Sequence, residues 1–280
     1  MKDNGFSTLL LLFYNQVVGL PSGLVGTAIM IVLVVDAFLD PIVGQISDNL
    51  RSRWGRRHPF MYASALPVAL SYLFLWNPPH WSQAALFVYL VVVAIIVRTF
   101  ITFYEIPSAA LVAELSDDYD ERTIFFAWRF FFGWFGGLSM AILAFRVLLV
   151  PDAAHPVGQL NPAGYASYGL IAAIIMFAAI MISAAGTHRH IPEFHVPPPR
   201  RIGIGRMIAE MFATLGNRSF MVLMIAGLLF YTATGLVFAL NVYFQTYLWE
   251  LSAKQISIFS LLGFVAAALA FGFALPLSKR

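Results

Sequence analysis

Apolar segments long enough to cross a membrane recur along almost the whole chain, and they constrain its fold more than any other feature. An α-helix needs about 20 such residues to cross the hydrocarbon core of a bilayer. Charged residues make up only 11% of the 280 residues, whereas soluble domains carry about 25%. The sequence therefore predicts an all-α membrane protein. The candidate spans lie at roughly 5–20, 22–46, 59–77, 83–113, 123–149, 165–186, 218–247 and 255–277.

The composition argues against several other classes of function. The chain has no cysteine, which removes disulfides, thiol catalysis and cysteine-ligated metal. It has no H-E-x-x-H and no G-x-S-x-G motif of a hydrolase. The net charge is +3, but the basic residues concentrate in alternate loops, which is typical of membrane topology and not of a nucleic-acid surface. We therefore expect no enzyme, no catalytic residue, no metal centre, no cofactor and no nucleic-acid partner.

The distribution of lysine and arginine predicts the orientation in the membrane. If the N-terminus is cytoplasmic, thirteen of the seventeen basic residues fall in cytoplasmic segments and two fall outside. Such an excess marks the cytoplasmic side, and we expect a multi-pass protein of the plasma (inner) membrane. The polar segment 187–217 is predicted to be a central cytoplasmic loop. It would separate a six-helix bundle, residues 1–186, from two further helices in 218–280.

The second predicted span carries two carboxylates where lipid-embedded helices rarely have any. Asp36 and Asp40 lie four residues apart and therefore share one helix face. A carboxylate within the bilayer is costly unless it faces the bundle interior and finds a partner. Two on one face predict a binding site for a shared cation, either Na⁺ or H⁺. An alternative stays open, in which the aspartates form a buried salt bridge that only fixes packing.

Two other predicted spans place polar residues at a similar depth. Arg98, Thr102 and Glu105 follow one another at i, i+4 and i+7, so they form one stripe of the fourth span. Arg129 lies about 9 Å from the cytoplasmic end of the fifth. The Thr102 hydroxyl and the two aspartates supply the oxygen ligands that a hard cation prefers. The planar guanidinium of Arg129 suits a hydroxyl-rich substrate. Two alternatives stay open: Glu105 and Arg129 pair with each other, or one of the two arginines pairs with the aspartates.

Charged residues in the first two cytoplasmic loops form a second candidate group. We expect them to act as a latch that holds the cytoplasmic end in one conformation, against the fourth span or a neighbouring loop. The alternative is that their charge only sets the topology. The members are Asp48, Arg51, Arg53, Arg56, Arg57 and Arg122.

Three motifs carry a resemblance to a known family. The segment from Asp36 to Phe60 reads D-x-x-x-D-P-x-x-G-x-x-x-D-N-x-R-S-R-W-G-R-x-x-P-F. It resembles the signature of the glycoside–pentoside–hexuronide:cation symporters, which are melibiose-permease-like members of the major facilitator superfamily. The sequences T-F-Y-E-I-P, starting at Thr102, and W-R-F-F, starting at Trp128, are similar to the family's T-x-x-D-I-P and P-R-F-F.

The resemblance implies a fold and a function. The fold would be the N-terminal six-helix bundle of a major facilitator plus the first two helices of its second bundle. The function would be secondary active transport, with Na⁺ or H⁺ coupled to symport of a sugar or glycoside by a monomer in the lipid bilayer. The two aspartates and Thr102 stand at the family's cation-site positions, and Glu105 and Arg129 at its sugar-binding positions. Asp3 is the candidate for the sugar-contacting acid of the first span.

The departures from the family pattern leave the cargo open. Glu105 is one methylene longer than the family's aspartate, Ala109 stands at a tryptophan of the melibiose permease, and Arg98 has no counterpart. These departures leave the sugar class open. A non-sugar cargo such as a lysolipid is an alternative, because the resemblance is to a family whose members are not all sugar carriers. The family has twelve spans, so we expect a fragment of a longer protein, with a natural shorter or non-transporting product as the alternative.

Overall fold

The fold is a bundle of helices joined by short connections. The computed structural model describes residues 5–116, 118–193 and 216–278, together with positions 205, 206, 209, 213 and 214. Within these residues there is no β-strand, and each predicted span coincides with one helix. Helix α1 consists of the pieces Gly5–Leu9, Leu10–Leu12 and Phe13–Val17, and α2 to α8 are Ser22–Asn49, His58–Leu75, Gln83–Val112, Tyr119–Leu148, Pro162–His188, Arg218–Leu248 and Ala253–Ser278.

The lengths of the helices confirm the prediction of an all-α, multi-pass membrane protein. Among the described residues, six helices, α2 to α7, are long and apolar enough to cross a bilayer. Helix α8 contributes a shorter apolar stretch, Ala253–Leu269. Most of the predicted central loop, 187–217, lies outside the described residues, and so does Asp3.

Two ends of the bundle can be distinguished by their loops. The arginine-rich end includes residues 50–57, 113–116 and 118. The C-terminal end of α6 lies beside it, because His58 hydrogen-bonds Thr187 over 3.0 Å. The opposite end carries residues 18–21, 76–82, 149–161 and 249–252. Helices α2 and α4 both run from the opposite end to the arginine-rich end and pack on each other, while α3 packs on α4 and α6.

Helices α7 and α8 attach to the other six through α1, α5 and the loop before α6. The Tyr243 hydroxyl of α7 donates a hydrogen bond to Asn15 Oδ1 over 2.9 Å, and Tyr247 donates to Gln16 Oε1 over 2.8 Å. The Gln159 side-chain amide donates to the Leu251 carbonyl over 2.9 Å. All these contacts lie at the opposite end, so hydrogen bonds close that end of the bundle.

Buried aromatic side chains fill the core near the opposite end. Trp76, Tyr14 and Tyr165 are almost inaccessible to solvent, and the Trp76 and Tyr165 rings stack with centroids 5.8 Å apart. The Tyr14 hydroxyl donates to the Leu75 carbonyl over 2.9 Å, which satisfies a polar group that would be costly to bury alone. Helix α6 comes close to these rings because Gly169 has no side chain, and a Cβ there would lie 2.7 Å from Trp76 Cβ.

Replacing Gly169 by alanine is expected to destabilise the protein. The new methyl group has to displace the buried Trp76 side chain, and overpacking of this kind costs about 1–3 kcal/mol. Gly186→Ala is the matched control, since it lies on the same helix and its Cβ would meet nothing within 4 Å. Thermal unfolding in detergent should show a lower midpoint for Gly169→Ala alone. Equal midpoints for the two variants would contradict the packing described for α6.

Candidate functional site

The two aspartates of α2 lie level with the polar stripe of α4. The two helices are parallel, and Asp36 comes fourteen residues after the start of α2 while Arg98 comes fifteen after the start of α4. At about 1.5 Å per residue both positions lie about 21–23 Å from the helix starts. Asp40 and Thr102 lie one turn further on. The match in register brings the four residues together in the middle of the bundle.

Thr102 bridges the two carboxylates. Its hydroxyl is buried and lies 2.8 Å from Asp40 Oδ1 and 3.3 Å from Asp36 Oδ1. A hydroxyl has one proton to donate, so the shorter contact to Asp40 is the stronger hydrogen bond. The structure thus brings together the three oxygen-bearing residues predicted to hold a cation. Asp36 is buried and Asp40 is half-buried.

Arg98 forms an ion pair with Asp36. Its Nε donates to Asp36 Oδ2 over 2.9 Å, and a terminal guanidinium nitrogen donates to the same oxygen. Both side chains are largely buried, with 18% of Arg98 and 8% of Asp36 exposed. Of the two arginines considered as partners from the sequence, the structure therefore pairs Arg98 with Asp36.

The charges of this group do not balance. Two carboxylates one helical turn apart, about 6 Å, repel by about 3 kcal/mol at an effective dielectric constant of 20. The Arg98 guanidinium offsets one of them. Asp40 has no ion-pair partner within the part of the chain that the structure describes. One net negative charge therefore remains beside the Thr102 hydroxyl, where a monovalent cation would neutralise it.

Two prolines lie close to the site along its two helices. Pro41 follows Asp40 directly in α2, and Pro107 lies two residues after Glu105 in α4. Proline has no N–H to donate to the carbonyl four residues earlier. The carbonyls of Ala37 and Phe103 therefore lose their helical donor close to the aspartates and to Thr102.

Arg129 of α5 reaches α4 one turn beyond Thr102. Its guanidinium donates to the buried Ser108 hydroxyl over 3.0 Å and approaches the Glu105 backbone carbonyl at 3.5 Å. The Ser108 hydroxyl itself donates to that carbonyl over 3.1 Å. The structure thus brings Arg129 to the backbone of Glu105, with the Ser108 hydroxyl between them. Ser108 was not identified from the sequence, although it follows Pro107 directly in the T-F-Y-E-I-P-S segment.

Glu114 joins the candidate latch at the arginine-rich end. Arg56 and Arg57 each donate to Glu114 Oε1 over 2.5 Å, and Arg57 also lies 3.2 Å from Asp48. The glutamate and both arginines are no more than 15% exposed. The loop after α2 is thereby fastened to the end of α4. Sequence reasoning missed Glu114, although it is the first acid after the apolar part of α4.

The other three latch candidates have different surroundings. Arg53 places its guanidinium 5.9 Å from the centre of the Trp54 ring. Arg122 donates to the Ser116 carbonyl over 2.6 Å and so fixes the turn before α5. Arg51 is exposed in the loop after α2. The geometry therefore joins Asp48, Arg56, Arg57 and Glu114 in one cluster, and Arg51 lines the pocket beside it.

Comparison with known proteins gives one consistent result. The family model described as MFS/sugar transport protein matches residues 1–280. The uncharacterized symporter sll1374 of Synechocystis is 34% identical over 181 residues, which cover 62% of this chain and 32% of that protein. The putative glycoside/cation symporter YagG of Escherichia coli is 30% identical over 142 residues, or 51% of this chain and 31% of YagG.

A third relative aligns over more of the chain. The glucuronide carrier protein homolog of Escherichia coli is 24% identical over 263 residues, which cover 92% of this chain and 55% of that protein. The chain spans about a third of the length of the first two relatives. A match over all 280 residues, together with apolar helices of membrane-spanning length, identifies a transporter family and not an enzyme family. The chain belongs to the MFS/sugar transport protein family.

Proposed function

We propose that the protein is a secondary active transporter that couples Na⁺ or H⁺ to the symport of a sugar or glycoside by alternating access. The observation that carries the proposal is the bridge of Thr102 between Asp36 and Asp40 in the middle of α2 and α4. Intramembrane carboxylates of this kind mark ion pathways and proton relays. The names of relatives, which include symporters and a glycoside/cation symporter, support the same function.

The cation is the co-transported substrate in this proposal. Asp36, Asp40 and Thr102 hold it, and the charge that it adds neutralises the carboxylate that Arg98 leaves unpaired. A Na⁺ ion would bind to the oxygen atoms, and a proton would bind to a carboxylate. In either case the site loses its net negative charge. The free-energy cost of moving the site past the low-dielectric interior of the bundle is then lower.

The sugar is proposed to bind on the side of α4 and α5 where Arg129 meets Ser108. Arg129 presents a planar set of donors, and Glu105 lies within the same turn of α4. Sugars offer hydroxyl groups that both donate and accept, so an arginine and a carboxylate suit them together. Asp3, close to the start of the predicted first span, is proposed as a further contact to the sugar. The cation and sugar sites then share α4.

Alternating access would use the two ends of the bundle. We assign the arginine-rich end to the cytoplasm, with the N-terminus on that side of the plasma (inner) membrane, because lysine and arginine accumulate there. Residues 1–186 and 218–280 are proposed to move relative to each other about the loop 187–217. The hydrogen bonds from Tyr243 and Tyr247 hold the opposite end closed and would break when it opens.

The proposal is tested by transport into membrane vesicles that carry the native full-length protein. Uptake of a panel of labelled glycosides is measured with and without a Na⁺ gradient and with a protonophore. We expect at least one glycoside to accumulate and to follow one of the two gradients. Absence of uptake for every glycoside under both gradients would contradict the proposal. Uptake of lysolipids in the same vesicles would then identify the alternative cargo.

Substitution of Arg129 by glutamine is expected to weaken sugar binding selectively. Hydrogen bonds that involve a charged group contribute about 1.5–3 kcal/mol, so the KM for the glycoside should rise about 10- to 100-fold. Arg146→Gln is the matched control, because Arg146 lies on the same helix but is exposed near the opposite end. Initial uptake rates over a range of glycoside concentrations give the KM. An unchanged KM in Arg129→Gln would remove this residue from the substrate site.

A further inference from the structure

Arg98 blocks part of the cation site with its own charge. Its Nε and a terminal nitrogen both donate to Asp36 Oδ2, and the other oxygen of Asp36 faces the Thr102 hydroxyl at 3.3 Å. Arg98 therefore holds Asp36 through one oxygen, and the other oxygen lies beside a hydroxyl whose one proton goes to Asp40. Arg98 thus places a positive charge directly beside Asp36.

Asp40 differs from Asp36 in its partners. It accepts the shorter hydrogen bond from Thr102, 2.8 Å, and it has no ion-pair partner in the part of the chain that the structure describes. Without Arg98, the two aspartates would offer a hard cation two carboxylates and a net charge of −2. With Arg98 present, the accessible charge is −1 and it resides on Asp40.

We propose that Arg98 determines the ion selectivity of the site, as a tethered cation that occupies Asp36 and keeps the affinity for Na⁺ low. The inference rests on the proposed cation site and refines it, because it states which cation the native residues disfavour. A Na⁺ ion at Asp36 has to share that carboxylate with the Arg98 guanidinium, whose positive charge repels it. It otherwise has the single carboxylate of Asp40, the Thr102 hydroxyl and nearby backbone oxygens.

The expected size of the effect follows from the charge that is removed. A unit charge about 5–6 Å from a bound ion changes its affinity by a factor of about 100 at an effective dielectric constant of 20. Arg98→Gln removes that charge and keeps a side chain of similar length and polarity. We expect the Kd for Na⁺ to fall at least tenfold in this variant.

The first test is a Na⁺ titration of the purified native full-length protein, followed by intrinsic tryptophan fluorescence and by isothermal titration calorimetry. Arg98→Gln should bind Na⁺ at least tenfold more tightly than the native protein. Arg98→Lys is the matched control, because it keeps the positive charge, and its Kd should stay within threefold of the native value. A Kd in Arg98→Gln equal to that of the native protein, or no Na⁺ binding in either, would overturn the proposal.

A second pair of variants gives an answer even if Arg98→Gln fails to fold with Asp36 unpaired. Asp36→Asn leaves Arg98 without this carboxylate, so the net charge of the group becomes zero and Na⁺ binding should weaken more than tenfold. Asp36→Asn combined with Arg98→Gln restores a net charge of −1 at Asp40. Its Kd for Na⁺ should return to within threefold of the native value. A double variant as weak as Asp36→Asn alone would overturn the proposal.

The readout separates this inference from the proposed function. Na⁺ binding is measured on purified protein without any sugar, and uptake is measured separately in vesicles. Loss of glycoside uptake under every gradient would contradict sugar symport and leave the effect of Arg98 on Na⁺ affinity intact. An unaltered Na⁺ affinity in Arg98→Gln, with uptake intact, would overturn only the role of Arg98.

Discussion

Replacing Asp40 by asparagine is expected to reduce cation-stimulated glycoside uptake to the level measured without a cation gradient. The change removes the one carboxylate of the site that Arg98 does not neutralise, and it keeps the acceptor for the Thr102 hydroxyl. Truncating a charge that binds a cation in a desolvated site costs several kcal/mol, or more than 100-fold in affinity. Vesicle uptake of a labelled glycoside at a range of Na⁺ and H⁺ gradients measures the loss.

The control for this prediction is Asp152→Asn. Asp152 lies in the loop at the opposite end, is 46% exposed and pairs with His155. Hydrogen bonding from the His155 backbone N–H lowers the pKa of Asp152, so it is also an ionised carboxylate in the native protein. Asp152→Asn should leave the cation dependence unchanged. Persistence of full cation stimulation in Asp40→Asn would exclude this carboxylate as the coupling site.

Replacing Glu114 by glutamine is expected to loosen the contacts between the loop after α2 and the end of α4. Glu114 accepts hydrogen bonds from Arg56 and Arg57 in a largely buried place, and its neutralisation leaves the two guanidinium groups facing each other. Removing one partner from a buried ionic group costs about 3 kcal/mol or more. Unfolding by SDS in mixed micelles should show a destabilisation of this size.

A labelling experiment separates a latch from a purely structural ion pair. Leu111 is buried on α4, one turn before Glu114, and the 280 residues contain no cysteine, so Leu111→Cys carries a single thiol in this chain. A maleimide should label that thiol at least tenfold faster when Glu114→Gln is added. Glu121→Gln is the control, because Glu121 is exposed and its carboxylate accepts a hydrogen bond from the Ser116 hydroxyl. Equal labelling rates in both backgrounds would contradict a latch.

The positions of the spans could be predicted from the sequence because the bilayer sets a minimum length and excludes charge. The predicted second span, 22–46, ends within a few residues of the helix Ser22–Asn49, and the fourth, 83–113, nearly coincides with Gln83–Val112. The convergence of Asp36, Asp40 and Thr102 followed from the same reasoning, since helix rise converts sequence distance from a span end into depth. Depth in two parallel helices is enough to bring such residues to one level.

The partners within the site could not be predicted in the same way. Depth allowed either Arg98 or Arg129 to pair with the aspartates, and the choice depends on the rotation of each helix about its axis. Apolar residues surround α4 on most sides, so no amphipathic pattern fixes that rotation. The contacts of α7 with α1 had the same limit, because the hydrogen bonds from Tyr243 and Tyr247 to Asn15 and Gln16 also depend on the rotation of each helix.

The most direct test of cation-coupled sugar symport is the cation movement that a sugar itself drives. Glycoside is added to unenergised vesicles that contain the native full-length protein, while external pH and ²²Na⁺ entry are recorded together. The account predicts that sugar entry carries either protons or Na⁺ inward, and that Asp40→Asn abolishes this cation flux while the protein still binds the glycoside. Sugar entry with neither cation moving, or an undiminished flux in Asp40→Asn, would contradict it.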